Sequence, residues 1–375
     1  MDDRPLTVLL DGDPAAPQQA RLGAALAARG MAVVVLDAPK VAAQIRDEFG
    51  QSCQEIRGLP RWTKGLRRIQ VQAQARKLGV DVVHLNFLLP KQRLWADTPG
   101  GPPYIATVWG SDLNREVFVR TPEHEATLDH ILRHASAVTS DAWPLLRKVE
   151  QRIGTAGPPR HLVLWSADLA AFDRAKHTAT IDQLRTQMGI APDQKVLLSP
   201  RQPQPHYHIE RIVAGFAASQ WAQQGVLVLK LHGKAGEQAY VEGLLRQASE
   251  LGVRDQVLLA PRVPYDQLPA LYALADAAVS LPEADGVPST FLELMALRVP
   301  IVATDLPGYE GVLDPDRAVL VKPGDAPDLV AGLNRVLVQP AERATRAHTW
   351  ARQHADWDKA VDQWVGLYRG AVAGR

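Results

Sequence analysis

281-LPEADGVPSTFLELMALRVPIVATDLPG-308 is the stretch that decides the architecture of this chain. It sets two carboxylates, Asp285 and Glu293, on either side of a Gly286-Val287-Pro288-Ser289-Thr290 turn. The turn opens an apolar run that reads as a helix, Thr290–Leu297, followed by a β-branched strand, Ile301–Ala303. The first turn of a helix leaves backbone N–H groups without intrahelical partners, and phosphate is a common guest of such a terminus. An acid one or two turns further in can reach the hydroxyls of a ribose joined to that phosphate. The stretch therefore reads as a cradle for a nucleoside diphosphate. The blander reading is an amphipathic helix capped by Ser289 or Thr290, with Glu293 as a first-turn charge.

Outward from this segment, short β-rich runs alternate with helical patterns along the whole chain, which is the mark of parallel sheets wrapped by helices. In the first half, strands are expected at Leu6–Leu10, Ala32–Leu36, Val80–His84, Tyr104–Val108 and Ala137–Ser140, with helices at Pro17–Arg29 and Gly65–Leu78. The pattern restarts at Val196–Ser199, Val226–Leu231, Val257–Leu259, Ala277–Ser280, Ile301–Ala303 and Ala318–Val321. Helices at Ile209–Ala218, Glu237–Leu251 and Tyr265–Ala273 lie between these strands. The fold class is α/β, with two doubly wound parallel sheets expected to face a cleft, and ligands expected at the carboxyl ends of their strands. The segment 172–194 reads as a hinge carrying a charge-rich helix.

Composition agrees. At 375 residues, 46% hydrophobic and 22% charged, the chain suits two globular domains. A net charge of +1 offers no field for nucleic acid, so none is expected as a partner. The single cysteine, Cys53, rules out an internal disulfide framework and a cysteine zinc cage. No secretory leader or membrane span is apparent, so a cytoplasmic location is expected. The basic stretch Arg57–Lys77 leaves room for peripheral contact with the inner face of a membrane, or is a solvated helix face.

The motifs resemble those of family 4 GT-B glycosyltransferases, the retaining group 1 enzymes. There an acidic residue, seven others, Glu and then Ala-x-Gly-x-Pro precede a strand. Here Asp285 and Glu293 take the acidic positions and Met295-Ala296-Leu297-Arg298-Val299-Pro300 follows, with Asp for the usual Glu and Arg298 for the usual Gly. Asp81-Val82-Val83-His84 resembles the family's Asp-x-hydrophobic-His strand, with His84 a weak candidate at its end. Thr107-Val108-Trp109-Gly110-Ser111-Asp112 resembles its Thr-x-His-Gly-x-Asp turn. Leu197-Leu198-Ser199-Pro200-Arg201 resembles the strand ending in Gly-Arg.

The resemblance implies two Rossmann-like domains. Residues 1–172, with a crossover helix at about 351–375, would bind the acceptor. Residues 173–350 would bind the nucleotide-sugar donor. The crossover rests on an aromatic stripe of Trp350, Trp357, Trp364 and Tyr368. The reaction implied moves a sugar from a nucleotide-diphosphate sugar to an acceptor hydroxyl with retention and without metal. UDP-sugars are favoured, and GDP- or ADP-sugars stay open. Arg201 would stabilise the departing diphosphate, Asp285 would bind donor sugar hydroxyls, and Glu293 would hold the ribose. Asp112 would face the reacting sugar or acceptor, or cap the following helix. The segment Gly286-Val287-Pro288-Ser289-Thr290 would offer backbone N–H groups from its non-proline residues, Gly110 a close backbone approach, and Arg262 a backbone contact to the base.

Relatives place a Lys shortly after the Arg. This chain has Pro205-His206-Tyr207-His208, so His206, Tyr207 or His208, or Lys230 and Lys234 further on, would compensate. No metal site is expected: Asp11-Gly12-Asp13 reads as a turn near the acceptor pocket. The acceptor is left as a carbohydrate, a lipid-linked sugar or a small molecule, with Trp62 and Trp95 open to stacking or to burial. A second reading is a non-catalytic GT-B homologue that binds or stabilises a partner.

Overall fold

The structure, a computed structural model, describes residues 4–12, 17–36, 54–56, 64–113, 121–231, 237–263 and 265–374. Cys53, Asp13, Trp62 and Lys234 lie outside them, as do residues 57–63 of the basic stretch, whose remainder is the helix Lys64–Lys77. The chain divides into two compact units, Met1–Trp165 with Asp358–Arg375, and Ser166–Trp357.

The first unit holds seven parallel strands: β1 Thr7–Gly12, β2 Ala32–Leu36, β3 Gln54–Ile56, β4 Val82–Asn86, β5 Tyr104–Val108, β6 Ala137–Ser140 and β7 Arg160–Leu162. Their order is β3-β2-β1-β4-β5-β6-β7. The second unit holds six: β8 Lys195–Ser199, β9 Gly225–Lys230, β10 Val257–Ala260, β11 Ala277–Ser280, β12 Ile301–Thr304 and β13 Val319–Val321, ordered β10-β9-β8-β11-β12-β13. Both orders reverse direction once, between β1 and β4 and between β8 and β11. Such a switch point opens a crevice at the carboxyl ends of its two strands. The central strands read as apolar runs because helices cover both faces: Leu9, Val34 and Val83 are fully buried in one core, Leu197, Leu227 and Val279 in the other. Edge strands β3 and β7 are short and mixed in composition, and periodicity does not reveal them.

Helices stop where the backbone must turn left-handed. Gly30 and Gly79 close two of them at φ +77° and +63°. Arg298 takes the same place after the helix Ser289–Ala296, at φ +58°, where its N–H bonds the Met295 carbonyl and the Val299 N–H bonds that of Leu294. A side chain in this region is strained, and Arg298 is exposed, with nothing to recover by packing. Arg298→Gly is expected to stabilise the protein by about 1 kcal/mol. Thermal denaturation should then show a midpoint about 2–4 °C higher.

Three expectations need correction. The segment 172–194 is not a free hinge: Phe172 is buried, with its ring 6.4 Å from that of Tyr272, and Thr178–Gln187 forms a helix of the second unit. The expected C-terminal helix is broken into Ala341–His354 and Trp357–Ala373. The break is a strand-like bridge between Ala167 and Asp356, in which Ala167 N–H bonds Ala355 and Trp357 N–H bonds Ala167. Trp350 precedes it and meets Arg317 at 5.1 Å, so Trp364 and Tyr368 alone of the stripe belong to the first unit. Finally, Asp11 and Gly12 continue β1 rather than form a turn.

His84 lies within β4, not at its end. It is fully buried, with Nδ1 2.7 Å from the Tyr368 hydroxyl and Nε2 2.6 Å from Thr107 Oγ1. Burial lowers its pKa from 6.5 to about 3. Above pH 6.5 the folded and unfolded histidines are both neutral, and this contribution to stability is complete. As pH falls from 6.5 towards 3, the unfolded chain gains a proton that the folded one refuses, and the contribution is lost. The histidine's share amounts to about 2 kcal/mol between pH 6.5 and 4.5. Urea unfolding at a series of pH values should show this slope in the wild type and a shallower one in His84→Gln.

Candidate functional site

The site of the second unit sits at the β8/β11 switch point. β8 ends at Ser199 and delivers Arg201; β11 ends at Ser280 and delivers Asp285. Arg201 Nη2 lies 2.9 Å from Asp285 Oδ2 and donates to the Tyr207 hydroxyl at 2.6 Å. The guanidinium carbon also stands 4.3 Å above the Tyr207 ring. Both polar contacts use Nη2, and a guanidinium carries five donors, so donors remain for a second anion. Burial works against the charge of Arg201, but Asp285, Tyr207 and Tyr309 outweigh it and raise its pKa, so it stays protonated. The Asp285 carboxyl is pushed up by burial and held back by Arg201 and by the Gly286 N–H.

The helix Ser289–Ala296 begins beside this pair. Its N-cap is Pro288, and no side chain caps it, so neither Ser289 nor Thr290 takes that part. Glu293 is on this helix and is buried. Lys230, the last residue of β9, faces the same region: burial draws its pKa down to about 8, Glu293 and Glu237 pull it up, and Arg201 lowers it further. Its ammonium is 5.9 Å from the centre of the Tyr272 ring. Gly286 and Pro288 on the intervening loop, and Ser289 and Thr290 in the first turn of the helix, are partly exposed, while Val287 is buried. Arg262 is exposed beyond the end of β10.

The residues that stand where relatives have Lys divide the work. Tyr207 holds Arg201. His206 packs on Tyr207 at 3.8 Å, and burial with the nearby Arg201 lowers its pKa, which keeps it neutral near pH 7. His208 adopts a left-handed backbone at φ +49° and sets its ring nitrogens 3.0 Å from Glu210 and 2.9 Å from Glu283. Its environment is therefore acidic, which does not suit a phosphate.

Sequence reasoning missed Tyr309. It ends the short turn Pro307–Tyr309 after β12, is 2% exposed, and meets Phe291 edge-on at 5.1 Å. Its hydroxyl is buried without a hydrogen-bond partner among the described residues, as are the Ser199 and Ser280 hydroxyls. Leaving one such group unsatisfied costs about 1–3 kcal/mol. The visible signal was a Pro-Gly turn directly after a strand, which marks a loop at the carboxyl edge of the sheet.

In the first unit, Asp112 is buried under the β5 loop. Oδ1 accepts from the Trp109 and Gly110 N–H groups, each at 2.9 Å, and Oδ2 from the Leu88 N–H at 3.0 Å. Burial raises its pKa, and these three main-chain donors oppose the rise. Both oxygens accept from backbone, so Asp112 ties the β4 and β5 loops together. Gly110, at φ +106°, makes the turn that allows this. Trp109 donates to Asn86 at 2.7 Å, and Trp95 is buried and donates to Asp11 at 2.7 Å, which removes it from sugar stacking. Among the described residues no cluster of three or more His, Cys, Asp or Glu side chains is placed to hold a metal, and no helix is long and apolar enough to cross a membrane.

Comparison with known proteins bears on this geometry. Residues 180–354 match the glycosyl transferases group 1 family. The D-inositol 3-phosphate glycosyltransferase 1 of Catenulispora acidiphila is 28% identical over 228 residues, 58% of this chain and 54% of that protein. A GDP-mannose-dependent alpha-(1-6)-phosphatidylinositol monomannoside mannosyltransferase of Mycolicibacterium smegmatis is 33% identical over 141 residues, 35% of each chain. The chain thus spans between about a third and three fifths of the length of these curated relatives. Among solved structures, Anabaena Alr3699/HepE in complex with UDP superposes with a TM-score of 0.82 at 19% identity, over 97% of this chain and 100% of that one. The fold is GT-B.

Proposed function

We propose that this GT-B chain, whose residues 180–354 belong to the glycosyl transferases group 1, moves a sugar from a nucleotide-diphosphate sugar to an acceptor hydroxyl, with retention and without a metal. The observation that carries the reading is the Arg201–Asp285 pair at the β8/β11 switch point, beside an uncapped helix N-terminus. Arg201 and the N–H groups of Val287, Ser289 and Thr290 receive the diphosphate and stabilise the charge that grows on it as it leaves, the part a metal ion plays elsewhere. Lys230, protonated below about pH 8, adds the charge that the usual neighbouring Lys would give. Asp285 takes hydroxyls of the sugar, and Glu293 takes the ribose. Asp112 fixes the first unit's loops and acts as a positioning residue. UDP is the favoured nucleotide, in keeping with the complex of the Anabaena neighbour, and the mannosyltransferase relative makes GDP-mannose the second donor to try.

A non-catalytic homologue is the second reading, favoured by the acidic surroundings of His208 where relatives have a cation. Release of UDP or GDP from UDP-glucose or GDP-mannose, with myo-inositol phosphate as a first acceptor and EDTA present, separates the two. Release that survives EDTA and stops in Arg201→Met supports transfer; donor binding with no release under any acceptor supports the second reading.

A further inference from the structure

The Tyr309 hydroxyl has no hydrogen-bond partner among the described residues. Phenylalanine would make the same edge contact with Phe291 and leave no buried donor unsatisfied. Yet the ring is fixed at this spot by its neighbours. The turn that carries it presses on Asp285 so closely that Gly308 has no space for a side chain. The hydroxyl lies within the electrostatic reach of Asp285, Arg201 and Tyr207.

These neighbours narrow the chemistry of its partner. A phosphate oxygen accepts only, and beside the Asp285 carboxylate it would be repelled. An alcohol both donates and accepts, and so can satisfy a carboxylate and a phenol together. Building on the donor reading above, we infer that Tyr309 and Asp285 bracket one hydroxyl of the transferred sugar, which donates to Asp285 and accepts from Tyr309. Tyr309 is thus a specificity-determining residue for the sugar half of the donor, while Arg201 serves the diphosphate.

The test compares wild type with Tyr309→Phe by calorimetric titration with UDP and UDP-glucose, and with GDP and GDP-mannose. The variant should bind the free diphosphate within about 2-fold of wild type and the intact sugar donor about 10-fold more weakly. Its melting temperature should be no lower than that of wild type. Donors lacking single sugar hydroxyls add a cycle: one deoxy donor should lose clearly less affinity for Tyr309→Phe than for wild type, the remaining loss being that of the bond to Asp285. Equal retention of both ligands overturns the assignment, as does equal weakening of both. A wild-type chain that binds the free diphosphates but gains no variant-sensitive affinity from the sugar overturns this inference alone. One that binds none of the four overturns the donor reading, and this inference with it.

Discussion

Arg201→Met is expected to lower kcat by about 10²–10³-fold, with a smaller change in KM, because the guanidinium acts on charge that appears as the diphosphate departs. The same change leaves Asp285 without its cation and the Tyr207 hydroxyl without the N–H group that donates to it. Asp285 is then a poorly solvated carboxylate with only the Gly286 N–H to hold it. Melting temperature should fall as well, so activity alone would confuse catalysis with folding. The double variant Arg201→Met/Asp285→Asn separates them: removing the stranded charge should restore most of the melting temperature and none of the activity. Arg201→Lys keeps a charge but not the fork, so it cannot serve Asp285, Tyr207 and a phosphate together. It should recover only a minor part of kcat. Steady-state kinetics beside thermal melts on the four proteins checks the account, and a double variant that regains activity with its fold would contradict it.

Gly308→Ala is the second large effect. A Cβ at this position would sit 1.9 Å from the Asp285 carbonyl oxygen and 3.0 Å from its carbonyl carbon. Both are backbone atoms, which cannot swing aside as the tip of a side chain can. Either the turn Pro307–Tyr309 or the loop at Asp285 must move. The expected cost is about 1–3 kcal/mol of stability. The displaced Asp285 should also lower kcat/KM by about 100-fold. Gly366, in the C-terminal helix, has nothing within 4 Å of the same virtual atom and provides the control. Gly366→Ala should match or exceed wild-type stability. Thermal melts and kinetics on the pair decide the matter, and a Gly308→Ala protein with wild-type melting and activity would contradict the close approach.

What the sequence made legible were features set by local chemistry. The β-branched runs of β8, β9, β11 and β12 announce themselves by composition. Arg201 and Asp285 come two and five residues after the ends of such runs, so a place beyond a strand end is readable for both. The spacing from Asp285 to Glu293 spans one turn and the start of one helix. What stayed hidden depends on partners far along the chain. Tyr207 was one of three residues that could stand in for the missing Lys, and its part as the shelf for Arg201 was not legible. Asp112 looked like a group facing a reactant or a helix cap, and its three backbone N–H partners, one of them from Leu88, were not legible. The aromatic stripe after Trp350 looked continuous, because nothing local signals that Asp356 will pair with Ala167. Arg298 shows the opposite lesson: a departure from the expected Gly visible in sequence turns out to be a strained left-handed residue, so the departure carries a stability cost.

The most direct measurement is calorimetric titration of the purified protein with UDP, GDP, ADP and CMP, beside a Glu293→Gln variant. The account predicts one preferred diphosphate, bound by the wild type and more weakly by the variant, with CMP the poorest ligand. Silence from all four nucleotides would contradict the assignment of Arg201 and Glu293 as a nucleotide cradle.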